Sequence, residues 1–282
     1  MARPSYDDGD AQMPIRSAFP APPTAVKRLM LINALVFVVC VLMYVASSET
    51  YGWVARVLGL ATDMWRENAP WVPVWQLFTY GFLHSVVDPW HIVMNMLVLY
   101  FFGSMLEHEL GARRLLITYF GAQILGGILF LALGLAVGKD VLLIGASGGC
   151  FGVMVAAATL WPRSPVILIF IPMRLWTMAL IFVGIEVYQF LLATALGAAA
   201  DGRVSHITHL GGIIYGFVAA KTGLVFWDPW RALSERRITK AVERAEGDEK
   251  RMDQLLEKIH REGMASLSRS EREFLKRVSS RR

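Results

Sequence analysis

Residues 115–137 read LLITYFGAQILGGILFLALGLAV, a run without a single charge that follows directly on Arg113 and Arg114. At about 1.5 Å per residue, a helix of this length crosses the roughly 30 Å hydrocarbon layer of a bilayer. Working outward, further apolar runs occupy Leu29–Ala46, about Pro89–Leu106, Ser147 to a stop before Pro162, about Arg174–Ala195 and about Ser205–Leu224. The expected fold class is therefore an all-α polytopic membrane protein, a bundle of six transmembrane helices. The fourth run is short, about four helical turns. A short helix can hold its N-terminus below the membrane surface with its first backbone N–H groups unpaired.

Composition points the same way. Over 282 residues, 55% are hydrophobic and only 18% charged, and the mean hydropathy is +0.45. These values exclude a collagen, a coiled coil, a disulfide-stapled secreted domain and a largely disordered chain. About half of all charged residues lie in 228–282, which divides the chain into a leader (1–28), a helical bundle domain (29–226) and a charged helical tail (227–282). The leader is acidic and Pro-rich, and is expected to be disordered and to hold no cleavable signal peptide. The formal charge of +5 does not imply nucleic acid, because the basic residues flank apolar spans, where the orientation rule for membrane helices places them. Cys40 and Cys150 both lie in apolar runs, with no metal-ligand spacing, and read as small buried side chains.

Lys27 and Arg28, Arg113 and Arg114, Arg163 and Arg174, and Lys221 with the tail fall at alternate ends of successive spans. Those ends are expected to be cytoplasmic, with both termini inside. The opposite loops hold only Arg56, Arg66, Lys139 and Arg203, and the longest, Ser47–Val74, is rich in tryptophan and reads as an interfacial insert on the outer face. In the tail, apolar residues recur at helical spacing, and Ser268 followed by Glu271 forms a capping box. This predicts a solvated helical hairpin whose positive charge favours anionic membrane lipid.

Polar side chains inside apolar spans mark function. His91 and Asn95 lie four apart, on one face of the second span; Ser147 sits in GASGGCFG (145–152); His206 and His209 precede Gly212 and Gly216. All fall toward the outer ends of their helices. A serine hydroxyl becomes a useful nucleophile when an imidazole accepts its proton, so Ser147 and His209 read as a catalytic pair. Gly148, Gly149 and Gly152 on one helix, with Gly212 and Gly216 on the other, permit the close approach this needs. The unpaired N–H groups at the start of the fourth helix, with His91 and Asn95, are expected to stabilise an oxyanion. Phe151 shares a helix face with Ser147 and is expected to stack on His209, fixing it where no third, acidic member is apparent. The expected device is a dyad. Glu107 is expected to pair with Arg113 or Arg114, Glu186 to be protonated or hydrogen-bonded without an assigned role, and Gln123 and Gln189 to be structural.

These residues resemble the rhomboid family of intramembrane serine proteases. The resemblance covers about residues 29–226 and rests on HxxxN at His91 and Asn95, GxSG at Gly145, Ser147 and Gly148, and HxxGxxxG at His209, Gly212 and Gly216. Gly103, Glu107 and Gly111 resemble the family's structural GxxxExxxG segment. The resemblance implies that Ser147 attacks a peptide bond, that His209 acts as base and then acid, and that Gly148, His91 and Asn95 help to hold the oxyanion. It implies transmembrane proteins as substrates, no cofactor or metal, no obligate protein partner, and residence in a cell membrane, of the bacterial inner-membrane kind, with the site opening outward. One departure stands out: Trp75 is followed by Gln76 where similar bacterial proteins often carry arginine.

Other readings fare worse. GASGG also fits the GxSxG nucleophile elbow, but that needs a strand before and a helix after the serine in an alternating chain. A metalloenzyme using His84, His91, His206 and His209 lacks the HExxH pattern. A catalytically silent protein that binds transmembrane helices would not require both Ser147 and His209.

Overall fold

The computed structural model describes residues 21–168, 171–195 and 200–279. The first twenty residues of the expected leader lie outside the described residues. The chain divides into two units, Met1–Trp227 and Asp228–Arg282.

In the first unit, α1 (Thr24–Ala46) begins within the expected leader, five residues before the apolar run. The loop that follows holds three short helices, α2 (Ser48–Leu58), α3 (Thr62–Glu67) and α4 (Gln76–Thr79). α5 (Pro89–Val98) continues through a π turn at Leu99–Gly103 into α6 (Ser104–Leu110). Then come α7 (Ala112–Val137), α8 (Ser147–Leu160), α9 (Leu175–Ala195) and α10 (Ala200–Thr222). Among the described residues, four helical stretches are long and apolar enough to cross a membrane: Thr24–Ala46, Pro89–Leu110, Ala112–Val137 and Leu175–Ala195. α8 is a shorter apolar helix, about 21 Å long, and α10 carries the polar residues His206 and His209. Among the described residues, two small antiparallel ladders, Leu60–Ala61 with Leu142–Leu143 and Pro165–Leu168 with Ile171–Arg174, interrupt the expected all-helical pattern.

α8 is the centre of the unit. Gly148–Gly149–Cys150 and Gly152 through Ala158 are all buried, and only Phe151 among them is partly exposed. Small side chains allow this, because neighbouring backbones close in where Cβ is absent. A Cβ on Gly212 would stand 2.1 Å from the Gly148 carbonyl oxygen, and one on Gly216 would stand 2.1 Å from that of Gly152. Not every glycine of GASGGCFG serves α10, however. The missing side chain of Gly149 leaves room for the Tyr119 ring of α7, and that of Gly152 for Ala122 of the same helix. The expectation that Gly149 faces the sixth helix is corrected: α8 is wedged between α7 and α10 and uses glycine against both.

The long loop after α1 is tied to the segment that leads into α8. β1 (Leu60–Ala61) pairs antiparallel with β2 (Leu142–Leu143), Leu60 opposite Leu143, and Thr62 Oγ1 donates to the Lys139 carbonyl at 2.8 Å while accepting from the Val141 N–H at 3.0 Å. Trp53 and Trp71 remain exposed, as an interfacial insert requires. Arg56 pairs with Asp63 and Arg66 with Asp140. Gln76 is fully buried and holds the loop from within. Its Oε1 accepts from the Ala61 N–H and Trp65 Nε1, and its Nε2 donates to the Arg56 and Val57 carbonyls. An amide, which both donates and accepts, does here what a guanidinium with donors alone could not. Between α8 and α9, β3 (Pro165–Leu168) pairs with β4 (Ile171–Arg174) as a hairpin.

The Gly103–Gly111 segment also has a physical reading. Glu107 does not point to the neighbouring arginines of the expected pairing; its Oε1 and Oε2 accept from the backbone N–H groups of Ala25 and Val26 at 2.9 and 2.8 Å. The carboxylate thus satisfies two unpaired donors at the N-terminus of α1 and complements its dipole. A Cβ at Gly103 would press on Val26 of that helix, and Gly111 turns the chain with φ of +87°.

The second unit contains α11 (Pro229–Glu262) and α12 (Arg269–Ser279). Leu255, Leu267 and Phe274 form its small core, and the Arg251 guanidinium lies over the Phe274 ring at 4.8 Å. The capping box is present: the Ser268 N–H donates to Glu271 Oε2, and the Glu271 N–H to Ser268 Oγ. The Ser268 backbone bond, with Lys258 beside it, holds the Glu271 carboxyl down at about 2.

Candidate active site

Ser147 is the first residue of α8, and the turn that presents it is built from the outside. Gly145 has φ of +127°, a conformation that L side chains rarely adopt, and a Cβ there would stand 2.6 Å from His91 Nε2. Its N–H donates to the Tyr80 carbonyl at 3.0 Å. The buried side chain of Gln123 on α7 then brackets the turn: Nε2 donates to the Gly145 carbonyl at 3.0 Å, and Oε1 accepts from the Gly149 N–H at 2.9 Å. With the Gly149 donor occupied by Gln123 and that of Cys150 by the Ala146 carbonyl, the N–H groups of Ser147 and Gly148 remain as the helix-start donors available to a ligand.

Across from α8, His209 on α10 brings Nε2 to 2.7 Å from Ser147 Oγ. This distance follows from the glycine packing, since Gly212 lies one turn beyond His209 and rests on Gly148. The Phe151 ring lies 4.9 Å from the His209 ring with the planes 30° apart. Asn95 is buried on α5, and its Nδ2 has no hydrogen-bond partner among the described residues. His91 lies one turn before it; the His84 ring sits edge-on at 5.1 Å. Burial, with His91 nearby, pushes the His84 imidazole down to about 4.

The structure adds one group to the pair read from the sequence. A third, acidic group is present. Glu186 Oε2 on α9 lies 2.8 Å from His209 Nδ1 and also 2.8 Å from His206 Nδ1. The carboxylate comes from another helix, not from one turn along α10, and for that reason local spacing did not reveal it. The same three side chains present ligand atoms within 4.8 Å of one another. His84 and His91 do not join them, so the four-histidine set weighed from the sequence is split into two separate pairs. Gln123 and Gln76, read as structural or as a departure, prove to be the groups that hold the serine turn and the long loop.

A part-buried hydroxyl, an imidazole within hydrogen-bond distance of it and helix-start N–H donors beside it thus meet inside an apolar bundle. Residues 73–226 match the Rhomboid domain family, and the chain belongs to that family. Residues 241–281 match a family of unknown function, DUF6576. The chain is 33% identical over 157 residues to RHOMBOID-like protein 1 of Arabidopsis thaliana, covering 54% of this chain and 34% of that protein. It is 31% identical over 154 residues to Rhomboid protein 1, mitochondrial, of Saccharomyces cerevisiae, covering 50% and 41%. With the Presenilin-associated rhomboid-like protein, mitochondrial, of Bos taurus, identity is 27% over 127 residues, covering 45% and 32%. The matched segments thus span about a third to two fifths of these relatives' lengths.

Proposed function

We propose that this chain is an intramembrane serine endopeptidase that cleaves membrane proteins in or near a transmembrane segment. One observation carries the reading: Ser147 Oγ and His209 Nε2, on different helices of an apolar bundle, lie 2.7 Å apart. In the reaction, Oγ bonds to the scissile carbonyl carbon as its proton passes to Nε2. The negative oxygen accepts hydrogen bonds from the Ser147 and Gly148 N–H groups, with His91 and Asn95 as side-chain donors. The unpartnered Nδ2 of Asn95 supports that assignment, because a buried donor without an acceptor is costly unless a ligand supplies one. The imidazolium then gives its proton to the leaving amine, and water, activated by the same ring, releases the acyl group. Substrate segments that unwind readily are favoured, since a helical carbonyl is already hydrogen-bonded. The distribution of basic residues supports an orientation with both termini cytoplasmic and the site opening toward the outer face; a bacterial cell membrane is what the resemblance implies.

Ser147→Ala and His209→Ala are each expected to abolish cleavage of a reporter transmembrane substrate in proteoliposomes while leaving the thermal unfolding profile intact. A fluorophosphonate should label Ser147 in the parent and fail to do so in His209→Ala. Cleavage by Ser147→Ala at the parent rate would end this reading.

A further inference from the structure

We propose that Glu186 is a positioning residue that completes a Ser147–His209–Glu186 relay, an addition that rests on the serine reading above. For Ser147 to donate to His209 Nε2, that nitrogen must be unprotonated, and a neutral imidazole then carries its proton on Nδ1. In an apolar bundle this N–H needs an acceptor, and Glu186 Oε2 stands 2.8 Å away. The carboxylate thereby selects the tautomer that leaves Nε2 free. It acts again when the proton arrives, because the ring becomes an imidazolium beside an anion in surroundings of low dielectric constant. The proton remains on His209 until the leaving amine takes it, and Glu186 stays ionised throughout.

His206 explains how the carboxylate is aimed. Its Nδ1 lies 2.8 Å from the same oxygen, three residues before His209 on α10. Two imidazole donors converging on Oε2 hold it against that helix, although α9 itself buries only Leu175, Met178 and Ala179. A metal ion between the three side chains is the competing use of the cluster. Ligands about 2.0–2.1 Å from a tetrahedral ion stand about 3.3 Å from one another. The two 2.8 Å separations are those of direct hydrogen bonds.

The test separates charge from shape. Glu186→Gln keeps the volume and an acceptor oxygen but removes the charge, so a role limited to joining α9 to α10 would survive it. The relay predicts that Glu186→Gln lowers kcat on the reporter substrate by about 100-fold or more, by analogy with loss of the acidic member of a triad. KM should change less than threefold and fluorophosphonate labelling of Ser147 should slow in parallel, while Glu186→Asp recovers part of the rate. A second measurement needs no variant: ¹⁵N shifts of His209 in the parent should report a protonated Nδ1 and an unprotonated Nε2. Parent-like kcat in Glu186→Gln, or a ring protonated on Nε2 in the parent, overturns the relay even where Ser147→Ala is inactive. So would loss of parent activity on EDTA treatment that zinc restores. Should Ser147→Ala cleave normally, the serine reading itself fails, whatever Glu186 does.

Discussion

α10 meets two of its neighbours, α8 and α9, in opposite ways. Against α8, glycine faces carbonyl: a Cβ at Gly212 or Gly216 would stand 2.1 Å from the backbone oxygen of Gly148 or Gly152. Against α9, the contact that matters for the site is a pair of hydrogen bonds to one carboxylate oxygen. Elsewhere α9 is open. A Cβ at Gly184 would touch nothing within 4 Å, and Leu180, Tyr188 and Leu191 are exposed, 59–64% accessible. Ser147 and His209 are thus brought together by rigid backbone packing, whereas Glu186 is held by polar side chains at a loosely covered helix. Substitutions on the first face should unfold the bundle or separate Ser147 from His209. On the second they should alter chemistry and leave the fold.

Gly212→Ala tests the first face and should have the largest effect on stability. The added methyl meets a backbone carbonyl, which cannot rotate away, so α8 and α10 must separate. Overpacking of this kind costs about 1–3 kcal/mol, and more where the backbone is fixed. Unfolding in micelles should shift to lower temperature, and reporter cleavage should fall with it, because the helices that separate carry Ser147 and His209. A parent-like melting curve would show that the interface yields more readily than its geometry indicates.

Gln123→Ala should come next. It removes the acceptor of the Gly149 N–H and the donor to the Gly145 carbonyl, leaving two buried backbone groups unpaired at a cost of about 1–3 kcal/mol each where water cannot enter. The turn that presents Ser147 then loses its brace. Activity is expected to fall by more than the loss of folded protein accounts for, measured as fluorophosphonate labelling per folded molecule.

The difference between the two faces also explains what could be read from the sequence. Apolar runs, small residues four apart and HxxxN are periodic within one helix, so spacing alone places His91 with Asn95, and Gly212 with Gly216, on shared faces. Ser147 and His209 could be joined because glycine on both helices announced a close approach. Nothing local announced Glu186, because its partner is set by the rotation of α9 about its own axis, which no spacing within α9 encodes. Gln76 and Gln123 were obscure for a related reason: an amide suits either end of a hydrogen bond, and its partners here lie 11–26 residues away. The partition of glycines between α7 and α10 was likewise hidden, since Gly148 and Gly149 are adjacent in sequence yet point to different helices. Glu107 was misjudged because nearby arginines were visible in the sequence, while the N-terminus of α1, some eighty residues away, was not.

Gly184→Ala should have the smallest effect, and it is the sharpest control on the comparison. It makes the same chemical change as Gly212→Ala, one methyl on a helical glycine, two residues before Glu186. With open space around the position, the only physical consequence is on the helix itself, where alanine is favoured over glycine by about 0.5–1 kcal/mol. The melting temperature is expected to stay level or rise slightly, and kcat to remain that of the parent. If this methyl instead destabilises the protein as Gly212→Ala does, α9 is packed in the bilayer as tightly as α8. Glu186 would then be held by shape and not by its two histidines.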